Sequence, residues 1–510
     1  MGKIILMLLS IHTTNIYAET KPLHEKGVQS LHQMMSTGEL TAEELTKHHL
    51  DRIKWLDPKL NAIISLNPDA IKDAKQLDER RKSGQKLGPL HGIPVLLKDN
   101  IEAAGSIPTT AGALVLKNNI THRDATLVKN LRGAGAVILG KANLSEWANF
   151  RSERSSSGWS GVKGQTNNPY DFSRNPCGSS SGSAVAASAG LATLTIGTET
   201  NGSIVCPASA NGVVGLKPTV GLVSRSGIIP LSHSQDTAGP ITRTVSDAAL
   251  MLNVIQGFDE KDQATAVGKS HHLRDYSQAL KSNGLKGRRI GILRSAASFH
   301  TEVDQLLETA IKDFKSAGAV IIDDLTWQAP EGFGGASYDV LLYEFKHDLN
   351  QYLADLPNHL SALTLEQIIA YNTANKAQSM PWFDQEILVK AQAKNDLNDE
   401  TYLSALKKVQ QATRADGIDA LLEKHQLDAI IAPTGSPAWQ TDLVNGDHFI
   451  GSSSSLAAIS GYPNITLPMG YVHGLPVGLS IFSGAYQEPA IIEIAYAYEQ
   501  KTKHRKPPLD

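Results

Sequence analysis

The chain has 510 residues, 41% apolar and 19% charged, so it can bury a sizeable core and is not dominated by disorder. That length admits up to about three domains or one large α/β domain. Lys and Arg total 48 against 51 Asp and Glu, a net charge of -3. Such a balance leaves no electrostatic footprint for nucleic acid or an anionic membrane and points to small-molecule or peptide chemistry.

Lys3 is followed by the apolar run Ile4 to Leu9 and then by a more polar stretch through Tyr17-Ala18-Glu19. A basic start, a short apolar run and a small residue before a polar segment read as a secretory signal over residues 1–18. The expectation is a periplasmic or secreted protein, with a cytoplasmic chain whose N-terminus is disordered or core-packed as the alternative. The run is far shorter than the ~20 residues a membrane span needs. Residues 24 to 56 carry helical signals. Thr41-Ala42-Glu43-Glu44 fits an N-cap with an acidic residue at the third helical position, and Leu45, His49, Ile53 and Leu56 recur at helical spacing. A second, charged helix is predicted over 69–83, ended by Ser83-Gly84.

Beyond this helical segment, about 24–85, the texture alternates. Pro94 to Leu97, Ala134 to Leu139, Ile290 to Leu293, Ala319 to Ile322 and Ala429 to Ala432 read as short buried strands separated by helices. The pattern predicts a mixed or parallel sheet covered on both faces, in one α/β/α domain spanning 19–510. Residues 151–183 are dense in Ser, Gly, Asn and Pro, but they run straight into Ala184 to Ala192, a small-residue helix suited to close packing. A flexible linker does not lead into such a helix.

Several motifs carry less than they suggest. Gly135 to Lys141 has P-loop spacing, but Ala142 stands where a magnesium-binding Ser or Thr is needed, and the central residues form an apolar run. A strand is expected there. Gly178-Ser179-Ser180-Ser181-Gly182 matches the G-x-S-x-G elbow and would make Ser180 a nucleophile, but Arg174-Asn175-Pro176-Cys177 does not make the strand an elbow requires. His48-His49 and His271-His272 lack metal-ligand spacing and are expected at solvated positions. The only two cysteines, Cys177 and Cys206, exclude a disulfide scaffold and have no zinc pattern. They are expected as small buried side chains beside a site, with a pair disulfide or a reactive thiol as alternatives.

Three pieces remain. Gly92 to Asn100 ends an apolar strand on Lys98, which alone would read as a surface lysine. Gly178 to Ala184 is rich in serine, and Gly197-Thr198-Glu199-Thr200-Asn201-Gly202-Ser203-Ile204 reads as a turn whose small residues leave backbone N–H groups accessible. Their order and spacing resemble the amidase signature family, with Ser179 and Ser203 separated by 203 − 179 = 24 positions. Gly215-Leu216-Lys217-Pro218-Thr219, Asp236-Thr237-Ala238-Gly239-Pro240 and Gly461-Tyr462-Pro463-Asn464 extend the likeness over nearly all the chain after the leader. Thr198 to Pro207 and Asn143 to Phe150 are similar to the bacterial peptide amidase branch. The turn departs from the wider family at Glu199, Asn201 and Val205, where Asp, Gly and Arg are usual, and Val205 removes a charge partner for the acidic residue.

The resemblance implies an amidase signature fold and hydrolysis of a carboxamide to an acid and ammonia through an acyl-enzyme, on C-terminal amides of peptides. Aryl or fatty amide hydrolysis, or amide transfer within a tRNA-dependent amidotransferase, are the alternative readings. It assigns Ser203 as nucleophile, Ser179 after a cis peptide bond as proton bridge, and Lys98 as base. The backbone around Thr200, Asn201 and Gly202 would form the oxyanion hole. No metal or organic cofactor is expected, nor a nucleic-acid partner, and the oligomeric state is left open. Lys98 must be neutral to accept a proton. Burial among Val95, Leu96 and Leu97 would lower its pKa, and strand alternation points Asp99 the other way. The pocket walls are expected from residues 145–165 and the helical region around Tyr343 to Tyr352.

Overall fold

Eleven strands form one mixed sheet in the computed structural model, which describes residues 22–508 except 273–274 and 358–359. The expected leader, 1–18, lies outside the described residues. The strands are β1 (Ile63–Leu66), β2 (Pro94–Lys98), β3 (Val137–Ala142), β4 (Leu194–Glu199), β5 (Val214–Lys217), β6 (Thr237–Thr242), β7 (Arg289–Leu293), β8 (Val320–Leu325), β9 (Ala429–Pro433), β10 (Asn464–Val472) and β11 (Leu475–Phe482). Their order across the sheet is β1-β3-β2-β4-β6-β5-β10-β11-β9-β7-β8. β2 runs parallel to both β3 and β4, and β9, β7 and β8 are mutually parallel, while the centre from β4 to β11 is antiparallel. The mixed sheet expected from the alternating texture is therefore present.

Val95, Leu96 and Leu97 are fully buried, as are Val137, Ile138 and Leu139 on the neighbouring strand. Continuous apolar runs of this kind suit strands covered on both faces. Each such side chain contributes about 1.5–3 kcal/mol by leaving water. On one side the helix Ala42–Leu60 begins as its sequence indicated: Thr41 Oγ1 accepts from Glu44 N–H at 3.1 Å, and the Glu44 carboxylate accepts from Thr41 N–H at 2.8 Å. The charged helix spans Ala70–Lys82. The Ser/Gly-rich segment is packed rather than loose. Arg151 is fully buried, donates to Glu146 at 2.9 Å and lies 4.2 Å from the Phe383 ring centroid.

Three boundaries differ from expectation, one of them the small-residue helix, which spans Ser181–Ser188 rather than Ala184 to Ala192 because the chain turns at Gly190, with φ +68°. Residues 134–135 are a turn, and Ala136 also lies outside β3, because Gly135 takes a positive φ and the chain enters the sheet only at Val137. Gly197 to Glu199 belong to β4, paired with Thr237 to Gly239 of β6, so the turn begins at Thr200. One burial expectation is overturned. His49 is fully buried, its ring nitrogens bonded to Gly190 O at 3.2 Å and Thr193 Oγ1 at 3.0 Å. With both nitrogens satisfied, a neutral imidazole fits the apolar face of its helix, and burial holds its pKa well below the usual value.

Candidate active site

The site lies at the carboxyl ends of β2 and β4, two adjacent parallel strands, where chain direction leaves a crevice beyond the sheet. Lys98 is the last residue of β2 and is fully buried. Its Nζ donates to Ser179 Oγ at 2.7 Å, Thr198 Oγ1 at 2.9 Å and Thr198 O at 3.1 Å. These partners are hydroxyls and a carbonyl, not a carboxylate. Burial lowers the Lys98 pKa to about 7, opposed by the more distant negative charges of Asp236 and Glu199. Asp99 faces away, as alternation required. It accepts from Thr110 and sits 3.6 Å from Lys141, and its own pKa is raised by burial to about 6.

Ser179 follows a cis peptide bond from Gly178, as the resemblance implied. A Cβ on Gly178 would fall 2.2 Å from Ser145 Oγ, so no larger residue fits there. Ser145 N–H donates to Ser179 O at 3.0 Å, fixing the loop from the other side. The following helix, Ser181–Ser188, is wholly buried because its residues are small enough to pack closely. Ser180 precedes that helix and is fully buried, donating to Thr198 O at 3.0 Å and accepting from Thr198 N–H at 3.2 Å. It therefore ties the loop to β4 and is not presented to a substrate.

Ser203 closes the turn after β4 and leads into the short helix Val205–Ala210. Ser180 N–H donates to Ser203 O at 3.2 Å, which brings the two serine-bearing segments together through the backbone. Gly202 has φ +83°, a left-handed conformation that favours glycine, and Ser454 Oγ lies 3.1 Å from where its Cβ would stand. Among the described residues, no acceptor takes the backbone N–H groups of Asn201, Gly202 or Ser203. The Glu199 carboxylate, deprived of an arginine by Val205, instead accepts from the N–H groups of Ile204 and Val205 at 2.8 and 3.0 Å. It thus caps the helix that follows the Ser203 turn. Thr200 Oγ1 donates to Asp236 at 2.6 Å, and Asn201 Oδ1 accepts from Ser454 Oγ at 2.8 Å.

A cavity of about 470 Å³ is lined by Thr198 and Thr200, next in the chain to this centre, but not by Lys98, Ser179 or Ser203. Trp147, Ala148, Asp348, Gln351 and Tyr352 line it, in agreement with the walls expected from 145–165 and Tyr343 to Tyr352. Tyr343 itself packs against Tyr402 instead. The stretch Arg225 to Leu231 forms a third wall that the residue patterns did not disclose. Thr198, which orients Lys98, and Asp236, which holds Thr200, carry no sequence signal of a supporting role. Asp236 lies within a family-like segment, but nothing local links it to the turn. The one group of metal-ligand type among the described residues is His233, His347 and Asp348, whose donor atoms lie within 4.8 Å of one another. There Asp348 bonds to the ring Nδ1 of both histidines, at 2.9 Å from His233 and 3.0 Å from His347.

Cys177 and Cys206 form a disulfide, with Cα atoms 6.0 Å apart. This corrects the expectation of two unlinked buried thiols: positions 29 residues apart in sequence meet only because the two serine-bearing segments pack together. No helix among the described residues is long and apolar enough to cross a membrane.

Known proteins resemble this chain over most of its length. The amidase family profile matches residues 44–492. A probable amidase of Arabidopsis thaliana is 42% identical over 501 residues, covering 96% of this chain and 93% of that protein. The peptide amidase of Stenotrophomonas maltophilia, solved by crystallography, superposes with a TM-score of 0.92 at 49% identity, covering 96% of this chain and 99% of that one. A glutamyl-tRNA(Gln) amidotransferase chain of Caldanaerobacter subterraneus is 35% identical over 489 residues, covering 94% of this chain and 97% of that one. With the family profile spanning most of the chain and relatives aligned over nearly their full lengths, the chain belongs to the amidase signature family and is an amidohydrolase.

Proposed function

We propose that this amidohydrolase removes the terminal carboxamide of peptides, giving the acid and ammonia, by a Ser-Ser-Lys acyl-enzyme route. The observation that carries the mechanism is the buried Lys98 Nζ at 2.7 Å from Ser179 Oγ, with a pKa of about 7. A neutral amine at that point accepts a proton from Ser179 as Ser179 takes one from Ser203. Ser203 Oγ then bonds to the amide carbon, and the carbonyl electrons move onto oxygen. The free N–H groups of Asn201, Gly202 and Ser203 hold that oxyanion, a donor set worth about 10²–10³ in rate for each member. The proton returns through Ser179 to the leaving ammonia, and water resolves the ester by the same path in reverse.

The peptide amide assignment is supported by the full-length likeness to a peptide amidase and by a cavity of about 470 Å³, roomy enough for a peptide end. Likeness to the amidotransferase chain is lower, at 35% identity. We further propose export. The Cys177–Cys206 disulfide suits an oxidising compartment, as does the signal-like sequence of residues 1–18. Ammonia release from a panel of peptide, aryl and fatty amides tests the activity, with peptide amides expected to lead and Ser203→Ala to be silent. Turnover by that variant, or a preference for aryl or fatty amides, would refute the respective part. Cell fractionation with N-terminal mass analysis tests export; an uncleaved chain confined to the cytoplasm would refute it.

A further inference from the structure

The disulfide sits where the reaction is most sensitive to position. Cys177 stands two residues before Ser179, and Cys206 three residues after Ser203. Both ends are anchored to their own segments. Cys206 N–H donates to Gly202 O at 2.8 Å, and Cys177 N–H to Asn175 Oδ1 at 2.8 Å, while Ser181 Oγ donates to Cys177 O at 2.6 Å. The bridge therefore connects the backbone of one serine's loop to the backbone of the other's turn.

Neither segment is held by regular structure of its own over its length. The 176–180 stretch has no regular structure, and the helix after Ser203 is only six residues long, Val205–Ala210. The other direct ties run from Ser180 N–H to Ser203 O at 3.2 Å and from Asn211 Nδ2 to Pro176 O at 2.8 Å, with Ser180 Oγ also joined to Thr198 O and N–H at 3.0 and 3.2 Å; none of them is covalent. The cavity at Thr198 and Thr200 is lined by neither cysteine; they pack with Ala210, Ala438, Trp439 and Leu475. A loosened bridge would alter how the Ser179 loop and the Ser203 turn are placed against each other without remodelling that binding space.

We infer that Cys177 and Cys206 are positioning residues, and that their disulfide sets the Ser203–Ser179 geometry, so that reduction slows turnover without weakening substrate binding. This rests on the Ser-Ser-Lys reading above. The chemistry balances with a small dithiol: the S–S bond takes two electrons and two protons to give two thiols, and the reagent closes to its cyclic disulfide. Cys177 and Cys206 are 5% and 9% exposed, so such a reagent needs only modest local opening to reach them.

The test uses the folded full chain before and after dithiothreitol, with thiol alkylation and intact mass to establish complete reduction and circular dichroism to follow the fold. Steady-state ammonia release is measured beside the variants Cys177→Ser/Cys206→Ser and Ser203→Ala. The expected result is a kcat about tenfold or more lower in the reduced enzyme, with KM within about twofold, because a misplacement of about 1 Å costs up to ~10²-fold. Reoxidation restores kcat. The double serine variant matches the reduced enzyme and no longer responds to dithiothreitol. An unchanged kcat after complete reduction overturns the inference. So does a loss carried by KM, or a loss that follows ellipticity, which would make the bridge a support for the whole fold. Activity in Ser203→Ala would instead overturn the nucleophile assignment on which the inference rests, so the two failures are distinguishable.

Discussion

Lys98 and Lys141 are both fully buried, on adjacent parallel strands, one residue out of register with each other. Burial depresses the pKa of each, yet their surroundings differ. Lys141 has the Asp99 carboxylate at 3.6 Å, together with Ile101 O at 2.5 Å and Thr109 Oγ1 at 2.8 Å. Lys98 has two hydroxyls and one carbonyl. A buried ammonium with a carboxylate partner is held as an ion pair; one among hydroxyls is poised to lose its proton near neutrality. Strand alternation makes the difference, because it sends the neighbouring Asp99 to the Lys141 side. On the proposed mechanism, one side of the sheet does chemistry while the other closes the structure.

Substituting the two lysines should separate these roles. Lys98→Ala should lower kcat by about 10²–10⁴ with little change in unfolding free energy, as measured by ammonia release and urea titration. Lys98→Arg should be equally inactive, since a guanidinium stays charged. Lys141→Met should do the reverse, destabilising the fold by about 3–5 kcal/mol in urea by leaving Asp99 buried and unpaired. Adding Asp99→Asn to Lys141→Met should recover much of that stability. If Lys141→Met proved as inactive as Lys98→Ala while still folded, the contrast would fail.

The pH dependence sharpens it. With a folded pKa of about 7, Lys98 is increasingly neutral as pH rises, so kcat/KM should climb through about pH 7 and then level. The stability sign follows from the same shift. Between about pH 7 and the ordinary lysine value of 10.5, the unfolded chain binds more protons, so the Lys98 contribution to stability becomes more favourable as pH rises through that window. The smallest effect is expected from Thr198→Val. It removes an acceptor that favours the charged amine, so the ascending limb should move to lower pH by less than about one unit. A limb that stays fixed would mean that Thr198 merely packs.

Much of this contrast is legible in the sequence. The apolar run ending on Lys98, the alternation that turns Asp99 away and the capping box at Thr41 are local properties, and local properties survive into the fold. The pairing of Cys177 with Cys206 depends on two distant segments meeting, which no local pattern encodes. Gly197, Thr198 and Glu199 have the character of turn residues, yet they extend β4, because ladder bonds to β6 override that preference. His49 shows two local signals in conflict. Its spacing with Leu45 and Ile53 places it on the buried face, while its residue type argues for solvent, and the Gly190 carbonyl and Thr193 hydroxyl that pair with its two ring nitrogens decide the outcome. The third cavity wall, Arg225 to Leu231, lies in irregular chain whose path only tertiary contacts define.

The central claim is that a neutral Lys98 activates Ser203 through Ser179. Fluorophosphonate labelling, followed by peptide mass mapping and repeated across pH, tests it most directly. The expected result is a single adduct on Ser203, forming at a rate that rises through about pH 7 and falls to background in Lys98→Ala. An adduct on Ser180, or Ser203 labelling that is independent of pH and of Lys98, would contradict the account.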